Sequence, residues 1–301
     1  MRGLFAMAVT PFDENGDIDF SSIPGLCDFY VTRGAAGLVA LGIMGEAQRM
    51  TAPEAEAVGA AFLDAVRSRV PVYFGVSSPA LRASASLAHA VMAKGAAGVM
   101  LAPLANQRHD AQVRSYFEAA LTAIGKDVPV ILQDYPQETG TAISAAALAE
   151  AIDALPQLCA LKHEECPGLA KISYLRAPER SARVRTFPIL AGNGALHLPQ
   201  EMARGADGAM TGFSYPEALA RTCALFADGE IDKAEDLFDR YLPLLRTEQQ
   251  PQFGLAMRKY VLQQRGAIAC SALRLPGYRL SAADKADIDR LMARVERRSN
   301  T

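Results

Sequence analysis

Lys94-Gly95-Ala96-Ala97-Gly98-Val99-Met100 joins a helical pattern to an aliphatic run, and its make-up recurs at Arg33-Gly34-Ala35-Ala36-Gly37-Leu38-Val39 and Arg204-Gly205-Ala206-Asp207-Gly208-Ala209-Met210. Each copy holds a base, a glycine, two short linking residues, a second glycine and an aliphatic run. A cation in the last turn of a helix complements its dipole, and a glycine at the left-handed C-cap ends it. The tight loop then enters a buried strand. Three such joints predict repeated strand-helix units.

Working outward from the joints, strands are expected near Phe5 to Val9, Gly37 to Leu41, Val70 to Val76, Gly98 to Ala102, Val128 to Gln133, Cys159 to His163, Pro188 to Gly192 and Gly208 to Thr211. Helical patterns separate them: Ser21 to Arg33, Ala52 to Ser68 behind the capping-box-like Thr51-Ala52-Pro53-Glu54, Leu81 to Lys94, Asp110 to Gly125, Ser144 to Leu155, Leu169 to Leu175, Leu196 to Arg204 and Pro216 to Phe226. Eight strands alternating with eight helices predict an α/β fold, a closed (β/α)8 TIM barrel. An open doubly wound sheet lacks its G-x-G-x-x-G fingerprint after the first strand. Past Gly229 the strand signals stop, and helices near Ile231 to Leu245, Gln252 to Gln264 and Ala282 to Arg298 predict a C-terminal helical extension. The expected division is residues 1–228, a catalytic barrel, and 229–301, a helical region packed on it.

The chain of 301 residues carries 31 basic and 33 acidic side chains, a net charge of −2 with neither sign gathered in one half. Nucleic acid and anionic membranes are therefore not expected as partners. No apolar run reaches the ~18 residues of a membrane span, and Leu4 to Val9 is too short for a signal-peptide core. Five scattered cysteines with no C-x-x-C pair read as reduced thiols. A cytoplasmic enzyme is the expectation.

Catalytic groups of such barrels lie at the carboxyl ends of the strands. There stand Thr10, the loop Gly42-Ile43-Met44-Gly45-Glu46, Ser77 and Ser78, Gln133 with Asp134 and Tyr135, Lys162 with Glu164, Asn193, and Thr211. Lys162 is the outlier, because its run Leu158-Cys159-Ala160-Leu161-Lys162-His163-Glu164 reads as a buried strand, where lysine is rare. Alternation puts Ala160, Lys162 and Glu164 on one face, with Leu161 and His163 on the other; Lys162 and Glu164 are then about 7 Å apart along the backbone. Desolvation lowers an ammonium's pKa from about 10.4 toward the range where the amine attacks a carbonyl. The natural task is a Schiff base with a 2-oxo acid. The plainer reading is an ion pair of Lys162 with Glu164 or Glu46. Asn193 between glycines reads equally as a turn residue, and Ser77-Ser78-Pro79 as a helix start. His89 and His109 are structural, His163 points away from Lys162, and His197 opens a helix.

With these landmarks in register, the sequence resembles the dihydrodipicolinate synthase and N-acetylneuraminate lyase family, Schiff-base lyases of 2-oxo acids. Thr10-Pro11-Phe12, Gly42-x-x-Gly45-Glu46, Pro136-x-x-Thr139-Gly140, Lys162 and Gly192 carry the resemblance. It implies a (β/α)8 barrel with C-terminal helices, usually a homotetramer, with Lys162 as the Schiff-base lysine and no cofactor. Three departures stand out. Ile43 and Met44 replace the hydroxyl residues commonly found between Gly42 and Gly45, so the substrate carboxylate must rely on backbone N–H groups of this loop or on other residues. Gln133 replaces the catalytic tyrosine and cannot shuttle a proton as a phenol can. Glu138 and Leu104-Ala105 replace the arginine and tyrosine pair of dihydrodipicolinate synthases, which argues against that condensation.

The leading expectation is a class I lyase acting on a small-molecule 2-oxo acid, a 2-keto-3-deoxy sugar acid, by dehydration or aldol cleavage. Lys162 forms the imine. Glu164, with Tyr135 as its rival, moves protons in place of the phenol lost at Gln133. Gly42, Ile43, Met44, Gly45, Glu46, Asn193, Thr211 and Ser77 are the expected substrate-binding residues. Alternatives are an inactive sugar-acid sensor or a dihydrodipicolinate synthase-like condensation. A metal-dependent aldolase is disfavoured, since the four histidines lack paired spacing and no metal ligands are expected.

Overall fold

A computed structural model describes residues 1–178 and 185–299. The eight parallel strands close into a barrel in sequence order. They are β1 (Gly3–Met7), β2 (Gly37–Ala40), β3 (Val72–Gly75), β4 (Gly98–Leu101), β5 (Val130–Asp134), β6 (Leu158–His163), β7 (Ile189–Ala191) and β8 (Gly208–Thr211). Around them run α1 (Ile23–Thr32), α2 (Ala52–Val66), α3 (Leu81–Ala93), α4 (Asp110–Ile124), α5 (Ala145–Ala154), α6 (Leu169–Arg176), α7 (Leu198–Ala203) and α8 (Pro216–Ala227). The (β/α)8 barrel read from the repeats is the fold.

The joints work as their composition requires. Arg33, Lys94 and Arg204 are the C-cap residues of α1, α3 and α7. The glycines behind them, Gly34, Gly95 and Gly205, have φ of 86°, 95° and 97°, a conformation that costs a residue with a Cβ. The second glycines serve close approach between strands. A Cβ on Gly37 would lie 2.4 Å from the Phe5 ring, and one on Gly208 2.1 Å from the Gly3 carbonyl oxygen.

Strand bounds differ from the sequence reading for local reasons. β1 starts at Gly3, because closure pairs Gly3 with Gly208. β2 stops before Leu41, whose φ of 56° turns the chain into the next loop. β5 runs on to Asp134, because Gln133 and Asp134 pair in register with Lys162 and His163.

Alternation along the strands makes two cores. Phe5, Met7, Val39, Tyr73, Met100, Ile131, Ala160, Leu190 and Met210 fill the barrel interior. Their neighbours Leu4, Ala6, Leu38, Leu161 and Ala209 face the helix layer, where Phe62, Phe117 and Leu148 pack. Both faces of the sheet are therefore largely apolar, as a parallel sheet requires, with buried polar residues gathered at the carboxyl ends of β5 and β6.

The C-terminal segment forms α9 (Ile231–Glu248), α10 (Phe253–Gln264) and α11 (Ala282–Ser299). It is bonded across the barrel mouth. Arg274 donates to both oxygens of Glu54 at 2.7 and 3.0 Å, to the Arg49 carbonyl at 3.0 Å and to that of Gly16 at 2.9 Å. Among the described residues no helix is long and apolar enough to cross a membrane.

Candidate active site

Lys162 projects from β6 into the barrel mouth, two residues beyond the interior-facing Ala160, and is 4% exposed. Its Nζ lies 3.1 Å from Glu164 Oε2. That oxygen also accepts from Gln133 Nε2 at 2.5 Å. The second oxygen of Glu164 accepts from the Asn193 backbone N–H at 3.1 Å. Gly192 makes this possible, since a Cβ there would stand 2.1 Å from Glu164 Cγ. The carboxylate is thus fixed from three sides while touching the amine. Of the two ion pairs weighed for Lys162, the one with Glu164 forms.

Lys162, Glu164 and Gln133 open into a cavity of about 940 Å³ at the carboxyl ends of the strands. Seven carboxamides line it: Gln48, Gln133, Gln137, Asn193, Gln249, Gln250 and Gln252. Tyr135 also lines it. Burial, reinforced by the nearby Glu164 charge, pushes its phenol up to about 12. Such a phenol stays protonated at neutrality and is a weaker base than a carboxylate.

The other expected residues divide. Ile43 and Met44 line the cavity, and Gly45 ends the 3-10 turn they form. The N–H groups of Gly45 and Glu46 are spent inside that turn, on the carbonyls of Gly42 and Ile43 at 2.9 and 3.0 Å. The N–H groups of Ile43 and Met44 make no backbone hydrogen bond of this kind. Thr10 donates its hydroxyl to the Gly45 carbonyl at 2.7 Å, holding the loop. Asn193 lines the cavity, and its backbone N–H serves Glu164. Thr211 borders the cavity beside the interior-facing Met210, so strand alternation turns its side chain toward the helices.

Two of the expected residues make structural contacts. Ser77 is exposed outside the cavity lining, and its hydroxyl accepts from the Ala102 N–H at 2.9 Å, linking the ends of β3 and β4. Glu46 is a structural anchor, its carboxylate taken by Lys259 Nζ at 2.6 Å, Arg49 Nη1 at 2.8 Å and the Arg274 N–H at 3.1 Å. Glu46 borders the cavity, but its carboxylate is held by these three donors.

The sequence reading missed the contribution of the C-terminal helices. Glu248 and Gln249 from α9 and Arg258 from α10 line the cavity. Arg258 Nε pairs with Glu248 Oε2 at 3.0 Å. The signal was present: Arg258-Lys259 interrupts the apolar run from Phe253 to Leu262, as Lys162 interrupts its own.

Behind β6, on the face opposite Lys162, sits a second buried polar cluster. Lys171 pairs with Asp134 at 2.7 Å and Glu165 at 3.0 Å, and His163 Nε2 meets the Gly168 carbonyl at 3.1 Å. As expected, His163 points away from the cavity. Burial pushes Glu201 nearby up to about 7, His163 opposing and Glu164 adding to the shift.

A family model described as the dihydrodipicolinate synthetase family matches residues 1–295. The L-2-keto-3-deoxyarabonate dehydratase of Azospirillum brasilense is 28% identical over 299 residues, spanning 98% of this chain and 94% of that one. The 4-hydroxy-tetrahydrodipicolinate synthase of Sorangium cellulosum is 29% identical over 306 residues, spanning 99% and 97%. The crystal structure of dihydrodipicolinate synthase from Rhodopseudomonas palustris superposes with a TM-score of 0.95 at 44% identity, spanning 98% and 97% of the two chains. With the family model matched over residues 1–295 of an eight-stranded barrel, the chain belongs to the dihydrodipicolinate synthetase family.

Proposed function

We propose that the protein is a Schiff-base-forming lyase that dehydrates a 2-keto-3-deoxy sugar acid. The observation that carries this reading is the buried Lys162 amine touching Glu164 at 3.1 Å on the floor of the cavity. The ammonium gives one proton to Glu164, and the freed amine attacks the 2-oxo carbon. Glu164 returns that proton to the oxygen of the carbinolamine and then carries a second proton from the attacking nitrogen to the same oxygen, which leaves as water, and an iminium remains on Nζ. The carboxylate then takes the proton from carbon 3, and the electrons of that C–H bond form the enamine. The enamine expels the hydroxyl on carbon 4, which Glu164 protonates, so that water departs. Hydrolysis of the imine restores Lys162 and releases a 2-oxo acid one water poorer.

Gln133 supports Glu164 here without supplying a proton of its own. With the Tyr135 phenol pushed up to about 12, Glu164, which touches the amine, is the acid-base group. Seven carboxamides around the cavity, each both donor and acceptor, suit a polyhydroxylated chain. The likeness to the Azospirillum dehydratase supports the same substrate class.

Condensation of the kind named for the Rhodopseudomonas relative is the second reading, favoured by 44% identity. Gln133, Glu138 and Leu104-Ala105 stand against it. A homotetramer in the cytoplasm, with no cofactor, completes the proposal. Borohydride reduction with pyruvate, read by mass spectrometry, is expected to place one adduct on Lys162; an unmodified Lys162 would sink the imine. Incubation with 2-keto-3-deoxy acids is expected to consume them without releasing pyruvate, and pyruvate release would replace dehydration with aldol cleavage.

A further inference from the structure

Arg258 is 2% exposed in the cavity wall, and none of the proton transfers above uses it. Its Nε edge pairs with Glu248 Oε2 at 3.0 Å. Glu248 is otherwise filled by Ser214, whose N–H approaches both carboxylate oxygens at 3.3 Å and whose hydroxyl donates to Oε1. This pairing fixes the guanidinium and leaves its Nη edge directed at the β2 loop, where Nη1 contacts the Met44 thioether. A thioether is a weak acceptor. Gly212 clears the space, since a Cβ there would stand 2.7 Å from Nη1. Among the described residues no stronger acceptor is bonded to this edge.

A 2-oxo acid bound as an imine brings a carboxylate into this same cavity. Three cations line it: Lys162, Arg49 and Arg258. Lys162 is taken by the carbonyl carbon. Arg49 spends Nη1 on Glu46 and on the Arg274 carbonyl, both at 2.8 Å. The loop itself offers the apolar side chains of Ile43 and Met44 with their two N–H groups. A guanidinium fork matches a carboxylate in shape and charge.

We infer that the Nη edge of Arg258 receives the substrate's carboxylate, beside the Ile43 and Met44 N–H groups, so that the C-terminal helices supply the anion site of a barrel active site. This rests on the proposed imine chemistry, and its test is separable from it. Borohydride trapping is titrated with pyruvate and with its neutral isostere pyruvamide, on the full chain and on Arg258→Met. The concentration of pyruvate giving half-maximal trapping is expected to rise roughly 10- to 100-fold, with pyruvamide unchanged. An equal change for both ligands, or none, overturns the inference.

Arg258→Met leaves Glu248 buried without its cation. If that protein does not fold, Arg258→Lys serves, with a smaller rise for pyruvate alone expected and an equal change for both ligands overturning the inference. Absence of any adduct in the unaltered protein defeats the imine reading. Arg258 is then judged by the thermal shift that pyruvate causes relative to pyruvamide, which needs no covalent step: retention of the pyruvate-specific shift in the variant overturns the inference, and its loss supports it.

Discussion

Two buried lysine-glutamate pairs stand at the carboxyl end of this barrel, and they differ in what else the lysine touches. Lys259 meets Glu46 at 2.6 Å and the Ala272 carbonyl at 2.9 Å, lies 4.4 Å from the centre of the Phe12 ring, and has no exposure. Lys162 meets Glu164 at 3.1 Å and opens into the cavity. Burial and an acid partner are common to both. What separates them is coordination: the Lys259 ammonium is enclosed by acceptors and a ring face, whereas Lys162 has room for a carbonyl carbon. A buried lysine is a candidate nucleophile only when its surroundings leave an approach open.

The sharpest way to break the comparison is to exchange the lysines' fates. Lys162→Met is expected to reduce turnover of 2-keto-3-deoxy acids to background and abolish borohydride trapping, in a protein that circular dichroism shows still folded. Turnover surviving in that variant, or trapping found on Lys259, would overturn the distinction. Next in size, Glu164→Gln is expected to slow turnover about 10²- to 10⁴-fold, the usual worth of a positioned acid-base group. The adduct with pyruvate should still form on Lys162; normal turnover would remove Glu164 from the mechanism.

Lys259→Met tests the other pair. It leaves the buried Glu46 with Arg49 as its one remaining cation, and a loss of about 1–3 kcal/mol in urea denaturation is expected. Adding Glu46→Gln should recover much of it, which chemical unfolding of the double variant would show.

The smallest effect concerns Glu201, raised from its ordinary 4.5 to about 7 by burial. Between about pH 4.5 and 7 the folded chain holds a proton that the unfolded chain has lost, so this group's contribution to stability falls as pH rises through that window and levels off above it. The penalty above pH 7 is up to about 3 kcal/mol. Glu201→Gln is therefore expected to raise the melting temperature at pH 8 more than at pH 5; equal shifts at both would refute the assignment.

Much of the fold was legible because helix-to-strand joints need glycine for local backbone reasons. Gly34, Gly95 and Gly205 each sit at positive φ behind a helix, and three repeats sufficed to predict the unit. Strand ends were less legible. Leu41 turns left-handed at φ 56° although it is an aliphatic residue continuing an aliphatic run, and no composition rule marks that. The pairing of Lys162 with Glu164 followed from the period of two along a strand. Glu46 looked equally available, because its loop precedes the same cavity, yet its partner lies 213 residues away on α10.

The sequence by itself determined the barrel, the inward face of β6 and the lysine on it, since these depend on periods of two and on local glycine requirements. Tertiary structure decided which acid each lysine meets, placed Ser77 outside the cavity lining, tied the Glu46 carboxylate to Lys259 and Arg49, and brought Arg258 and Glu248 to the cavity. The physical reason is range. Alternation and capping act over a few residues, whereas an ion pair is chosen by which side chains the closed barrel and its crossing helices bring within about 4 Å of each other.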